Sequence, residues 1–547
     1  MDLGLRLTVA AGLSLLPLPL LSLRLADLQI LRHGALETRA AGEFERVAEE
    51  AAPRADILDR EGRVLARSVP TWSCFADKSM IKDPAAFGAK LAASLGMPGR
   101  EIEAKVRAAN RFTWLKTGMT AEQSEAVKAA RAEGIGVVPI SSRVYPNGDL
   151  ARGVLGLVGA EGRGLAGAEL TLEKSLRGKP RRFALVRDGS GHNIYTSLTD
   201  DGRTPDPIRL TLDRNVQYLA EEALREAAAA RSFKGGTVAI QDPSNGEILA
   251  MASWPPSPLK NPLVQDAYEP GSTFKIVAAL TAIDDGVVRP DETFSGEQGR
   301  YEISPGVVIT DHEPEGDMTL AQILEKSSNI GISKVVERVG APRFYRMCRA
   351  FGFGARTGIP LPGETAGELK PLSDLTKVGL AASSYGYNLQ VSAVQALGAY
   401  SAIANGGTLW EPKLVLDGKP PVKVRRLASE RSVRALGDIL EGVVWRGTGM
   451  TARIPGYRIG GKTGTARKVD PRTRKYSTSA YTASFVGYLP ASAPRWTILV
   501  ILDEPKGAYY GAETAAPIFA SIGRRLLVLA GIPPDAPADL APATAGR

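Results

Sequence analysis

The sequence predicts an α+β chain: an antiparallel sheet with a largely helical insertion, preceded by a mixed module and an apolar N-terminal segment. Three observations predict it. The run from Leu7 to Leu23 carries no charge. Hairpin-like pairs of apolar runs stand at both ends of the stretch 208–532. The residues between those pairs read as mainly helical, and strands separated in this way from helices point to α+β rather than to alternating βαβ units.

The chain has 547 residues, of which 44% are hydrophobic and 23% charged, a balance that supports folded domains and excludes wholesale disorder. Lys plus Arg number 68 against 59 for Asp plus Glu, a net charge of +9. Over this length the excess is mild, and it reads as a solvated basic surface rather than a nucleic-acid footprint; contact with acidic lipid or an anionic polymer stays open. The two cysteines, Cys74 and Cys348, and three histidines, His33, His192 and His312, show no metal-ligand spacing. No structural zinc is expected, and the cysteines read as isolated core thiols.

Residues 1–30 read as a short tip and a retained membrane anchor. The run Leu7–Leu23 is at the short end for spanning, and Leu23-Arg24-Leu25 offers no small-x-small cleavage site. The flanking charges are too balanced to set an orientation. Residues 31–207 form the mixed module. Leu25 to Ala52 reads as helical, Arg54 to Ala66 as two short strands around a Gly turn, and Asp83 to Leu95 as a helix. Asp200-Asp201-Gly202-Arg203-Thr204-Pro205 closes the module. In residues 208–532 a long amphipathic helix is expected at Asp213–Ala230. A hairpin is expected around Asp242-Pro243-Ser244-Asn245-Gly246, paired strands at Ala483–Leu489 and Trp496–Leu502, and a helix at Thr514–Leu529. The Pro/Ala-rich tail 533–547 reads as disordered.

Ser-x-x-Lys occurs three times, at Ser79/Lys82, Ser257/Lys260 and Ser272/Lys275. Only Ser272 opens an apolar helical run, with Lys275 one turn on along the same face. A lysine desolvated in a cleft loses its charge more readily and can accept the serine proton. The bland alternative for Ser272 is a helix N-cap. Ser327-Ser328-Asn329 is the sole Ser-x-Asn: Ser327 can relay a proton, and Asn329 can fix Lys275 and a substrate amide. Taken alone, these residues read equally as turn or capping residues.

Lys-Thr-Gly occurs at Lys116 and at Lys462, and the copy that falls after the other two elements sits in a Gly-rich strand. Glycines there allow close approach of a ligand backbone. Lys462 supplies positive charge, Thr463 and Thr465 suit a carboxylate, and the amides of Ser272 and Thr465 suit an oxyanion. Gly456–Thr463 also matches a phosphate-binding loop, but Gly464, Asp470 and Pro471 follow where a helix is required.

In this order and context the three elements resemble the set known from β-lactamases and penicillin-binding proteins. The chain is similar to class B penicillin-binding proteins over nearly its whole length. In the module the resemblance rests on Arg54 to Ala66, Arg143-Val144-Tyr145-Pro146-Asn147-Gly148 and Gly164-Leu165-Ala166-Gly167-Ala168-Glu169. In the larger domain it rests on Tyr268 to Lys275, Lys326 to Asn329 and Gly461 to Ala466. Asp503-Glu504-Pro505, Tyr510-Gly511 and Ala515 to Phe519 are most like the division-specific branch. Ala55, Glu61 and Arg152 depart from the family, where Gly, Asn and His are common.

The resemblance implies a penicillin-binding, serine β-lactamase-like fold on a pedestal module. It implies a single-pass type II inner-membrane protein with an extracytoplasmic D,D-transpeptidase acting on peptidoglycan stem peptides. It implies catalytic Ser272, Lys275, Ser327, Asn329 and Lys462 and substrate-binding Thr463, Gly464 and Thr465, with acylation by β-lactams. Its implied partners are a SEDS-type glycan polymerase and other division proteins, with no metal or organic cofactor. A hydrolase of the same fold, an acylatable sensor and an elongation-type enzyme stay open.

Overall fold

The computed structural model describes all residues except 1, 16, 38–44, 51, 160–161, 188–192, 471 and 537–547. The helical run Leu3–Leu31 is long and apolar enough to cross a membrane. It extends past the charge-free stretch at both ends, and Pro17 stands at the first position of its second segment, Pro17–Ala26, where the missing N–H costs little.

The chain forms two compact units that are not consecutive in sequence. One holds Met1–Arg54, Val69–Ser142 and Arg177–Pro205; the other holds Ala55–Ser68, Arg143–Leu176 and Asp206–Arg547. Residues read from the sequence as one module thus fall in both.

In the first unit Asp83 caps the helix Pro84–Leu95, its carboxylate accepting from the Ala85 N–H at 2.9 Å. Leu91 and Leu95 pack with Ile102 and Val106 of the helix Gly99–Ala108, and with Cys74 and Leu115. The helix expected over Leu25–Ala52 does not continue. Glu45–Glu50 is a strand, antiparallel to Arg181–Arg187, so a distant segment's ladder bonds override local helix propensity.

In the second unit Ile57–Leu58 pairs antiparallel with Val64 and Ala66 and parallel with Ile208–Arg209. The fully buried Asp59 carboxylate holds the turn between the first two, accepting from Glu61 and Arg63 N–H at 2.9 and 2.8 Å. Arg143 and Glu169 form a buried ion pair at 2.6 Å.

The rest of this unit is built in chain order from α1 (Arg214–Ala230), β1 (Gly235–Gln241), β2 (Ile248–Trp254), α2 (Lys275–Asp284), α3 (Asn329–Val339), α4 (Ala393–Ala404), α5 (Glu430–Arg446), β3 (Gly460–Val469), β4 (Tyr476–Leu489), β5 (Trp496–Asp503) and α6 (Gly511–Leu529). The five strands form one antiparallel sheet in the order β2-β1-β5-β4-β3. The first hairpin therefore does pair with the late strands.

Both faces of the sheet are covered, so alternate residues enter different cores. Val238, Ile240, Ile498 and Val500 pack with α1 and α6 through Ala220, Leu224, Phe519 and Ile522. Ala239, Val486 and Leu499 pack with the core of α2, α3, α4 and α5. β3 ends the sheet, and among the described residues no strand pairs with the other side of its backbone. Beyond α6 the chain stays tied as far as Asp535, whose carboxylate accepts from the Arg458 N–H at 2.8 Å. From 537 the expected tail lies outside the described residues.

Candidate active site

Ser272 lies in a single 3-10 turn, Gly271–Phe274, at the head of α2. The turn is wedged against β3: a Cβ on Gly464 would stand 2.9 Å from the Pro270 carbonyl oxygen and 2.4 Å from Ser484 Oγ. Only glycine permits that approach. α2 is apolar throughout its first turns, which drives Lys275 fully below the surface with Ile276 and Val277.

Lys275 Nζ does not reach back to Ser272, as the helix-face argument suggested. It donates to the Ser327 carbonyl and lies 3.2 Å from Ser327 Oγ. The Ser272 hydroxyl makes no hydrogen bond among the described residues. Lys462, equally buried, donates to the same Ser327 Oγ at 2.9 Å and lies 3.4 Å from Thr448 Oγ1 and Thr463 Oγ1. One hydroxyl is thus shared by two buried ammonium groups, and their charged forms are disfavoured. Burial, then the Lys462 charge, holds Lys275 well below the usual lysine range, with Asp311 opposing. Burial alone pushes Lys462 down to about 7.

Ser327 adopts a left-handed backbone, φ +61°, a strained state for a non-glycine residue. Its neighbours are gripped by Asp311. Ser328 Oγ donates to that carboxylate, as do the backbone N–H groups of Asn329 at 2.5 Å and Ile330 at 3.2 Å. The Asn329 side chain donates to the Thr310 carbonyl at 3.2 Å, not to anything around Lys275.

On β3, the Arg467 N–H donates to Tyr387 Oη at 3.1 Å rather than to β4. Backbone groups alternate sides along an antiparallel strand, so those of Thr463 and Thr465 also face the free edge. The Thr465 N–H is therefore presented beside the Ser272 turn, and Thr465 Oγ1 accepts from the Gly511 N–H at 3.0 Å.

Lys116 of the other Lys-Thr-Gly lies in the first unit and donates to the Leu95 carbonyl at 2.5 Å. Ser79 donates its hydroxyl to the carboxylate of Asp77, which caps the turn Lys78–Met80, and Lys260 pairs with Asp266 at 2.7 Å. Gly456–Thr463 leads into β3, with no helix for a phosphate. Cys74 and Cys348 are buried, free, and in different units. No metal-holding cluster occurs among the described residues.

Sequence reasoning missed Asp311, Thr448 and a group behind the nucleophile turn. Glu269 Oε1 there accepts from the Asn388 N–H at 2.8 Å and Tyr476 Oη at 2.9 Å. Tyr510, read from the sequence only as a mark of the division-specific branch, stands at the head of α6, its Oη 3.3 Å from His312 Nδ1.

A serine at a helix head, two buried lysines, a shared second hydroxyl and an edge-strand N–H form a centre suited to serine acyl transfer. The sequence matches the penicillin-binding protein transpeptidase domain over residues 236–524 and the penicillin-binding protein dimerisation domain over residues 49–209. The chain belongs to the class B penicillin-binding proteins. It is 31% identical to peptidoglycan D,D-transpeptidase FtsI of Escherichia coli K12, with 97% of this chain and 93% of that protein covered. It is 31% identical to stage V sporulation protein D of Bacillus subtilis, covering 93% and 83%. Among solved structures, penicillin-binding protein 3 of Mycobacterium tuberculosis superposes with a TM-score of 0.68 at 27% identity, over 91% of this chain and 100% of that one.

Proposed function

We propose that this chain is a peptidoglycan D,D-transpeptidase acting through an ester on Ser272. The observation that carries the reading is Ser327 Oγ, held between Lys275 and Lys462 beside the nucleophile turn. Neutral Lys275 takes the proton as Ser272 Oγ attacks the carbonyl before a terminal D-alanine. The tetrahedral oxyanion lies between the N–H groups of Ser272 and Thr465. Lys275 returns the proton through Ser327 to the leaving nitrogen, the C–N bond breaks, and D-alanine departs. An amine of a neighbouring strand then attacks the ester and restores the Ser272 hydroxyl. Lys462 with Thr463 and Thr465 receives the donor carboxylate, Gly464 admits its backbone, and Asn329 lines the acceptor side.

In this reading residues 1–30 anchor the chain, residues 31–207 form the pedestal and residues 208–532 the extracytoplasmic transpeptidase domain. Its setting is septal synthesis, beside a SEDS-type polymerase and other division proteins. The similarity to FtsI supports that branch. One relative, penicillin-binding protein 3 of Mycobacterium tuberculosis, is solved with aztreonam and with ampicillin, which supports β-lactam acylation here.

A fluorescent penicillin tests the chemistry. A long-lived adduct, lost in Ser272→Ala, with D-alanine released from a peptide donor, is expected. Rapid loss of the label indicates a hydrolase, and labelling without D-alanine release indicates a sensor. Depletion should give filamentous cells, and rounded cells would overturn the division assignment.

A further inference from the structure

The free edge of β3 ends in an occupied position. Extended peptides bind such edges by adding a strand, each paired residue exchanging N–H and C=O with every second residue of the edge. On this strand those residues are Thr463, Thr465 and Arg467, and the Arg467 N–H is already taken by the Tyr387 hydroxyl. We propose that Tyr387 ends the strand pairing open to the acyl donor, so that the donor backbone pairs at Thr465 and must leave the edge before Arg467. This rests on the reading of Ser272 as nucleophile.

The stop is indexed to the nucleophile rather than to the strand alone. Tyr387 sits in a turn whose Gly386 carbonyl accepts from the Gly271 N–H at 3.1 Å. A Cβ on Gly386 would stand 2.1 Å from the Gly271 carbonyl, so the two turns are in backbone contact next to Ser272. On its other side Asn388, with φ +63°, donates to Glu269, three residues before Ser272. The Tyr387 ring packs edge-on against Tyr476, centroids 5.4 Å apart, and Tyr476 itself donates to Glu269. Tyr385 closes the other side at 5.8 Å. Burial raises the Tyr387 phenol.

The register then fixes which donor group is refused. With the scissile carbonyl on the Thr465 N–H, the same D-alanine gives its own N–H to the Thr465 carbonyl. The next paired carbonyl belongs to the residue two positions upstream, and its partner would be the Arg467 N–H. That position is closed. The site therefore takes a donor whose D-Ala-D-Ala end is extended and whose upstream residues turn away, carrying the third residue's side chain off the sheet edge.

The test compares two donors on the full-length protein in detergent, following D-alanine release: an acyl-D-Ala-D-Ala, and an acetyl-X-D-Ala-D-Ala whose acetyl carbonyl is the upstream group. Tyr387→Phe keeps the ring and frees the Arg467 N–H. The ratio of kcat/KM, long donor over short, should rise roughly 2- to 10-fold over wild type, the worth of one hydrogen bond. An equal change for both donors makes the hydroxyl a purely structural tie and overturns the proposal. A falling ratio means the hydroxyl itself binds the donor, and also overturns it. A second measurement needs no variant: replacing the acetamido group by trifluoroethylamino removes the carbonyl and keeps the N–H. Wild type should then lose less than 2-fold in kcat/KM, and a loss of 10-fold or more would show that carbonyl already paired. Penicillin labelling separates the premises: no adduct on Ser272 sinks the nucleophile reading, whereas normal labelling with a flat donor ratio sinks the stop alone.

Discussion

Lys462 provides a sharp pH prediction. Burial moves its ammonium from an ordinary value of 10.5 to about 7. At roughly 1.36 kcal/mol per unit, that is about 5 kcal/mol against charging it in the empty site. Its neighbours, Ser327 Oγ and two threonine hydroxyls, supply no counter-charge. An arriving donor carboxylate supplies one, and an opposite charge at contact restores the protonated form. The free protein must therefore carry the proton on Lys462 to greet a carboxylate. For a D-Ala-D-Ala donor, kcat/KM should fall about tenfold per pH unit above about 7. The matched donor ending in D-alaninamide lacks the charge and should lack that limb. The assay is D-alanine or D-alaninamide release between about pH 6 and 9, with far-UV circular dichroism at each pH as a check on the folded fraction. Identical profiles for the two donors would refute the argument that Lys462 acts through its charge.

Four further outcomes follow from the same geometry. Ser272→Ala should abolish penicillin labelling, whereas Ser79→Ala and Ser257→Ala should retain it, since the structure uses those residues elsewhere. Asp311→Ala frees three donors that hold Ser327 left-handed; the acylation barrier should rise by roughly 1.5–3 kcal/mol, a rate loss of about 10- to 150-fold, measured as the labelling rate. Arg143→Leu leaves Glu169 without its 2.6 Å partner and should lower stability by about 3–5 kcal/mol in thermal melts. Stability should also rise with pH. Lys462 is depressed in the fold, so between about 7 and 10.5 the unfolded chain binds more protons, and unfolding becomes costlier through that window. Lys275 acts in the same direction. In Lys462→Met the slope over that window should flatten, as read by urea unfolding at a series of pH values.

Much of this was legible in the sequence, for reasons that also mark where it was not. Continuous apolar runs placed β1, β2, β4 and β5, because a strand covered on both faces has no polar side to alternate with, and the helical apolar period placed α1 and α6. The three motifs were legible because acyl transfer demands particular side chains at fixed local spacing. Asp311 and Tyr387 carry no such spacing. They act on backbone N–H groups of turns far along the chain, and only the fold brings them there. The strand Glu45–Glu50 was read as helix because its partner, Arg181–Arg187, is remote and leaves no local trace. Lys275 was expected to approach Ser272, but its desolvated amine donates to the strongest acceptor within reach, the Ser327 carbonyl.

The strand order also sets a timetable. β1 pairs with β5, and Lys234 meets Glu504 across 270 residues of chain. At roughly 5–20 residues per second of synthesis, the first hairpin waits on the order of tens of seconds for its neighbour. Through that interval β1 presents an unsatisfied, apolar edge to whatever lies nearby. The free edge of β3 appears only after α2 and α3 exist. A chain halted short of β5 therefore carries Ser272 and Ser327 without the sheet that aligns them, and its most exposed feature is an aggregation-prone strand rather than a reactive serine.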